Sequence, residues 1–255
     1  MTDDFGENIR RQNRFLFSDK EMYLLTCSDT GKSHAMMSLS PSRRKKQQYN
    51  NMHLIGNMRF TESDGFPILK PYNSRIDWDF YPYSMHNKLD GKGQAVYFFE
   101  DDYKFGYATW ERLENTTYKL SKMDCLLSPD YSLYVDVPDI MNKWNIYKSR
   151  FAGAFWQANG FNVIPTASWG NTDSFCYSFE GLPKHSVIAV CGLGVKWCSA
   201  ATILWEYGMR ELEERLEPTN IIVCGEERFV PGIHTPLTFI TESNYNKSVN
   251  KKWKK

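Results

Sequence analysis

Five short apolar runs recur through the middle of the chain, and a polar or acidic cluster follows each. The runs are Ala95-Val96-Tyr97-Phe98-Phe99, Cys125-Leu126-Leu127, Phe161-Asn162-Val163-Ile164-Pro165, Val187-Ile188-Ala189-Val190-Cys191 and Ile221-Ile222-Val223-Cys224. Helix-like stretches fill three of the gaps, so the rhythm reads β-α-β-α, the pattern of a parallel sheet. Parallel α/β sheets bind ligands outside the carboxyl ends of their strands. Here those ends carry Glu100-Asp101-Asp102, Ser128-Pro129-Asp130, Ser168-Trp169-Gly170, Gly192-Leu193-Gly194 and Gly225-Glu226-Glu227.

With 255 residues, 42% of them hydrophobic and 24% charged, the chain can bury a sizeable core without disulfides or metals. The net charge of +1 gives the whole molecule no strong field for nucleic acid. The basic charge is nevertheless clustered, at Arg43-Arg44-Lys45-Lys46 and in a tail containing Lys251 and Lys252. Both clusters are candidate phosphate contacts, and their bland reading is a solvated end. None of the six cysteines forms a Cys-x-x-Cys pair or has zinc-ligand spacing with a histidine. No run approaches a membrane span and no signal core follows Met1. The expected location is therefore a reducing cytoplasm, with no membrane partner.

The chain divides, on composition, into a polar and basic amino-terminal extension (1–60), an α/β domain (61–241) and a basic tail (242–255). Within the extension, 22–25 reads as a short strand. Thr26 to Ser33 ends like a phosphate-binding loop but has Thr26 where such a loop needs glycine. Residues 66–69 read as a strand or covering segment, and 71–90 as loop. Helices are expected near 103–121, from Pro138 to Gly160, and from an N-cap at Ser199 to Pro218. On the second helix, Ile140, Trp144, Tyr147, Phe151 and Phe155 share one face. Gly160 serves as a left-handed cap. On the third, Ile203, Leu204, Tyr207, Leu212 and Leu216 supply the buried side. A last strand is expected near 237–240. The expected architecture is an eight-stranded barrel or a barrel-like variant with strands missing; the alternative is an open doubly wound sheet.

The carboxylates make the best case for chemistry. Asp101, Asp102, Asp130, Asp173 and Glu226 all fall at or just beyond strand carboxyl ends, so a parallel sheet would direct most of them to one rim. Grouped carboxylates hold a divalent cation such as Mg²⁺ or Mn²⁺, or run acid–base or glycosidic chemistry at the right separation. The structural alternative for each Asp is a helix cap or turn. Ser168, Trp169 and Gln157 are candidate substrate contacts, Trp169 as a stacking surface for a sugar or base. Gly192 and Gly194 would give a tight turn or let a ligand approach the backbone. A third glycine of a dinucleotide fingerprint is missing, since Trp197 stands there.

Several motifs stand in one order: Tyr97-Phe98-Phe99-Glu100-Asp101-Asp102-Tyr103, Leu127-Ser128-Pro129-Asp130-Tyr131-Ser132-Leu133-Tyr134, Phe155-Trp156-Gln157, Val163 to Trp169, Phe179-Glu180-Gly181-Leu182-Pro183 and Ile221 to Gly225. In that order the chain, over about 95–225, resembles a family of phage, plasmid and conjugative-element proteins known as domain of unknown function 4417. Glu180 stands where that family usually has Asp, and Cys191 where it usually has Ser. The resemblance implies a mobile-element protein, with partners in replication, maintenance or host conflict. Two functions are expected. One is an enzyme acting on a nucleotide, nucleic acid or glycosidic bond, with Asp130 at its centre. The other is a non-catalytic factor that binds nucleic acid or a host or replication protein.

Overall fold

A computed structural model describes residues 49–227 and 230–240. The chain divides between Met58 and Arg59 into two units. Of the first, the described part is a 3₁₀ turn at Tyr49–Leu54. The strand expected at 22–25, the glycine-poor loop at 26–33 and the basic residues Arg43, Arg44, Lys45, Lys46, Lys251 and Lys252 lie outside the described residues.

The second unit holds seven strands among the described residues: β1 (Asp79–Pro82), β2 (Gln94–Tyr97), β3 (Cys125–Leu127), β4 (Val163–Ile164), β5 (Val187–Cys191), β6 (Asn220–Cys224) and β7 (Leu237–Phe239). Every ladder is parallel, and the strands lie side by side in chain order, β1 to β4 in one sheet and β5 to β7 in the next. A parallel bridge between Thr166 and Ala189 joins the two sheets. There the Ala189 amide donates to the Pro165 carbonyl (2.8 Å) and the Ala167 amide to the Ala189 carbonyl (2.8 Å). The helices are α1 (Asp102–Trp110), α2 (Leu113–Leu120), α3 (Asp139–Ala158), α4 (Phe175–Ser178) and α5 (Ser199–Leu216).

The near-continuous apolar runs reflect burial of both faces. Alternate residues divide between two clusters. Val187 and Ala189 of β5, and Ile222 and Cys224 of β6, join Phe80, Ala95, Tyr97, Cys125, Leu127, Ile164 and Ile240. This cluster draws on or beside all seven strands and includes no residue from a helix. Ile188, Val190, Ile221 and Val223 face the other way, against Trp205, Met209, Leu212 and Leu216 of α5.

Several expectations are corrected. The 71–90 loop contains β1 and a 3₁₀ helix, Tyr83–Lys88. The stretch 103–121 is two helices, parted where Arg112 leaves helical dihedrals (φ −126°, ψ 31°). Of the two readings of residues 66–69, the strand is corrected, since only a Phe60–Pro67 antiparallel bridge forms, while Phe66 and Leu69 are buried as in a covering segment. The 161–165 run yields a two-residue strand, and Pro165 beyond it has no N–H to extend a ladder. On α3, Phe151 is buried as expected, but Ile140 and Trp144 are exposed and the buried side also runs through Ile146, Arg150, Gly153 and Trp156. On α5, Ile203 and Tyr207 are exposed while Trp205, Gly208 and Met209 are buried. The N-cap of α5 is Cys198, whose Sγ accepts from the Ala201 amide (3.4 Å), and Ser199 is the first helical residue. Gly160 does take positive φ, +86°, where α3 ends. No described helix is long and apolar enough to cross a membrane.

Candidate functional site

The loop after β3 is built by side chains that substitute for a longer ladder. Ser128 Oγ accepts from the Thr166 amide (2.8 Å), and Thr166 Oγ1 donates to the Ser128 carbonyl (2.8 Å). The helices then pin residues 132–134. Asp102 of α1 accepts from the amide and the hydroxyl of Ser132 (3.1 and 3.0 Å). Asn145 Nδ2 donates to the Ser132 carbonyl (2.7 Å), and Asn142 brackets Tyr134 through both its backbone groups. Asp130 is thereby fixed between β3 and β4, half-buried.

A cavity of about 310 Å³ opens above it, lined by Asp130, Tyr131, Ser132, Leu133, Ala167, Ser168, Trp169, Cys191, Gly194 and Trp205. It therefore spans the carboxyl ends of β3, β4 and β5. Burial pushes the Asp130 carboxyl up to about 7, the negative charge of Asp102 adds to the rise, and a hydrogen bond from Ser168 and the charge of Arg150 oppose it. Arg150 lies on the buried side of α3, fully enclosed. Its guanidinium donates to the carbonyls of Thr166 (2.9 Å), Ser178 (2.8 Å) and Glu180 (3.1 Å). Burial lowers its own pKa to about 9, with Asp130 acting in the opposite direction. A buried cation tied to three carbonyls thus acts on a carboxyl that lines the cavity.

The wall of the cavity is a pair of indoles. Trp169 and Trp205 stack with centroids 5.2 Å apart and planes at 29°. Two glycines make that possible by having no side chain. A Cβ on Gly208 would fall 2.1 Å from Trp169 Cε2, and one on Gly192 would fall 3.1 Å from Trp205 Cζ2. A second cavity, about 250 Å³, shares Tyr131 with the first and is lined also by Asp102, Gly106, Tyr107, Trp110, Glu111 and Lys148. Lys148 Nζ sits 4.0 Å from the centre of the Tyr131 ring. Burial lowers the Lys148 pKa, while Asp102 and Glu111 oppose that shift.

Among the sequence candidates, the structure brings together Asp130, Ser168, Trp169 and Gly194 at the first cavity and places Asp102 in the second. Gly192 lies under Trp205. The others are elsewhere. Asp101 is solvated and paired with Lys104 (3.2 Å). Glu226 pairs with Lys196 (3.4 Å). Asp173 is exposed on the 3₁₀ turn Thr172–Ser174 and outside the lining of either cavity. Gln157 bonds both backbone groups of Lys70 (2.7 and 2.9 Å), at the helix end that leads into β4 and so near the strands' amino ends. Among the described residues, no three His, Cys, Asp or Glu side chains come together to hold a metal ion.

Arg150, Lys148 and Trp205 escaped the sequence reading. The small residues Ala152-Gly153-Ala154 did mark the side of α3 that approaches the sheet, and Arg150 lies one turn before Ala154 on that side. Gly208 marked the corresponding side of α5.

The family model of a domain of unknown function, DUF4417, matches residues 60–240. Two relatives are each called "Gene 1 protein". That of Mycobacterium phage L5 is 36% identical over 144 residues, 56% of this chain and 62% of the relative. That of Mycobacterium phage D29 is 33% identical over 144 residues, 56% of this chain and 53% of the relative. The chain thus spans less than two thirds of the length of the curated relatives it matches. No solved structure matches it.

Proposed function

The chain belongs to the DUF4417 family, and from that premise we propose that it is an enzyme whose Asp130 acts as general acid–base on a glycosidic bond, that of a nucleotide or of a sugar. One observation carries the reading: a carboxyl that is desolvated by the protein on one side and open to a 310 Å³ cavity on the other. A carboxyl raised to about 7 keeps its proton near neutral pH and can give it to a leaving oxygen or nitrogen. Ser168 orients it by hydrogen bonding. Asp102, held by Ser132 in a polar setting, supplies a second carboxylate of different character. Trp169 supplies a flat wall for the ring that carries the bond. Because the similar proteins come from phages, we place this activity in the service of a mobile element within a bacterial host.

The fold reading extends the same way. A barrel-like sheet is favoured over an open doubly wound one by two features. The strands follow chain order without the reversal that marks a doubly wound sheet. The strand-only cluster also has no helix covering it among the described residues, as expected of a sheet that curls around its own side chains.

The test compares the full chain with its D130N variant on nucleosides, nucleotides and nitrophenyl glycosides, following released base, sugar or phenol. Turnover by the wild type that drops roughly 100-fold or more in a folded D130N supports the reading. Equal turnover by both, or none by the wild type across the panel, overturns it and favours the non-catalytic binding function.

A further inference from the structure

Two thiols that the proposed reaction does not use meet beside the Asp130 cavity. Cys191 and Cys224 end β5 and β6 and stand opposite each other at the last pair of the parallel ladder. In-register residues of neighbouring strands project to the same face, and both cysteines do pack into the strand-only cluster. The Gly192 amide donates to the Cys224 carbonyl (2.8 Å), which holds the two side by side, and the thiols are hydrogen-bonded to each other. Neighbouring strands run about 4.8 Å apart. That spacing falls inside the roughly 4.4–6.8 Å between Cα atoms that a disulfide spans. Both thiols are free.

Access to the pair is one-sided. Cys224 is 5% exposed, whereas Cys191 is half-buried and lines the cavity. A small neutral oxidant that enters the cavity therefore meets Cys191 first. The hydrogen bond with Cys224, and then burial, hold the Cys191 thiol above its ordinary value, so its thiolate is scarce and it reacts slowly near neutral pH. Such a pair registers sustained exposure to oxidant and ignores brief exposure. Gly192, the next residue, lies beneath Trp205, where a Cβ would fall 3.1 Å from Trp205 Cζ2. Movement at the end of β5 is thus passed directly to the indole wall.

We propose that Cys191 and Cys224 are a peroxide-responsive pair, whose disulfide ties the end of β5 to that of β6 and displaces the Trp169–Trp205 wall of the cavity. The Cys191 sulfur attacks one peroxide oxygen. The O–O bond breaks, an S–O bond forms, and the other oxygen leaves as water, giving a sulfenic acid. The Cys224 sulfur then attacks the Cys191 sulfur. The S–O bond breaks, the S–S bond forms, and the hydroxyl leaves as water with the Cys224 proton. One peroxide is reduced to two waters while two thiols are oxidised to one disulfide. Formation of the bond does not depend on the catalytic reading of the cavity; an effect on turnover rests on that reading.

The experiment exposes the full chain to hydrogen peroxide, caps the remaining thiols and maps tryptic peptides without reduction. Trypsin separates the two cysteines, cutting after Lys184 and Lys196 around Cys191 and after Arg215 and Arg228 around Cys224. A cross-link between those two peptides is expected, with loss of both thiols, faster formation in alkaline solution and release by dithiothreitol. The near-ultraviolet circular dichroism of the indoles should change with it, and C191S, which keeps the size of the side chain, should show neither effect. C224S should stop at the Cys191 sulfenic acid, which dimedone captures. Oxidation confined to the exposed Cys176 and Cys198, with 191 and 224 still capped as thiols, overturns the proposal. So does a cross-link that leaves the indole signal unchanged. The two readings fail separately. Turnover lost in D130N with no cross-link leaves the enzyme and removes the switch. A cross-link that shifts the indole signal, with unaltered turnover in D130N, leaves the switch and removes the catalytic role.

Discussion

Asp130 and Asp101 occupy comparable places, each a few residues past the end of an inner strand, and Glu226 occupies a third. At β3 to β5, the loop carrying Asp130 is tied down by Asp102, Asn142 and Asn145, and its carboxyl faces an indole wall with no cation in the described lining. At β2 and β6, Asp101 and Glu226 each meet a lysine at the surface, and the Asp101 side chain is 66% exposed. The difference shows that a position on the strand rim does not by itself desolvate a carboxylate. Closure of the surrounding protein over the loop does, and at Asp130 its effect outweighs the opposing charge of Arg150.

Removing the buried cation should break the contrast most severely. R150M leaves the carbonyls of Thr166, Ser178 and Glu180 without their donor, and a loss of about 3–5 kcal/mol in urea unfolding is expected. Next is the indole wall. G208A drives a methyl into Trp169 and should cost about 2–3 kcal/mol by the same assay, with a changed near-ultraviolet circular dichroism signal from the displaced indole.

Asp130 itself should show a pH-dependent effect of opposite sign. Its folded pKa, about 7, lies above the ordinary carboxylate value, so the folded protein holds a proton that the unfolded chain has released. The stability contribution is complete below about pH 4, falls as pH rises, and is lost once pH passes about 7. D130N should therefore raise the melting temperature at pH 8, by the equivalent of roughly 2 kcal/mol, and the gain should vanish toward pH 4. A variant less stable than wild type at pH 8 would show that the carboxylate is not desolvated as described. The smallest effect belongs to the solvated side: D101N should change stability by no more than about 0.5 kcal/mol, and less still in high salt.

Much of the scaffold was legible because it arises from local chemistry. The runs at 125–127, 187–191 and 221–224 are apolar on both faces, and such a run has few alternatives to an inner strand. Asp79-Phe80-Tyr81-Pro82 was not legible: it is polar at one end, closes on a proline and has its neighbour β2 on one side, as an edge strand does. The helix faces were misjudged for a related reason. Ile140, Ile203 and Tyr207 fit a helical stripe, but the surface each helix buries is chosen by where small residues allow contact, at Gly153 and Gly208.

The site divides in the same manner. Asp130, Ser168, Trp169 and Gly194 could be picked out from the sequence because a parallel sheet sends the residues after its strands to one rim. The sequence by itself thus determined the parallel α/β scaffold, the family and the rim on which the candidates lie. Only the tertiary structure decided which carboxylate is desolvated, that the enclosed Arg150 acts on it, and that Trp205 lines its cavity. Strand and helix periodicity is set by neighbours a few residues apart. Desolvation is set by atoms brought together from α1, α3, α5 and three strands, which no local pattern encodes.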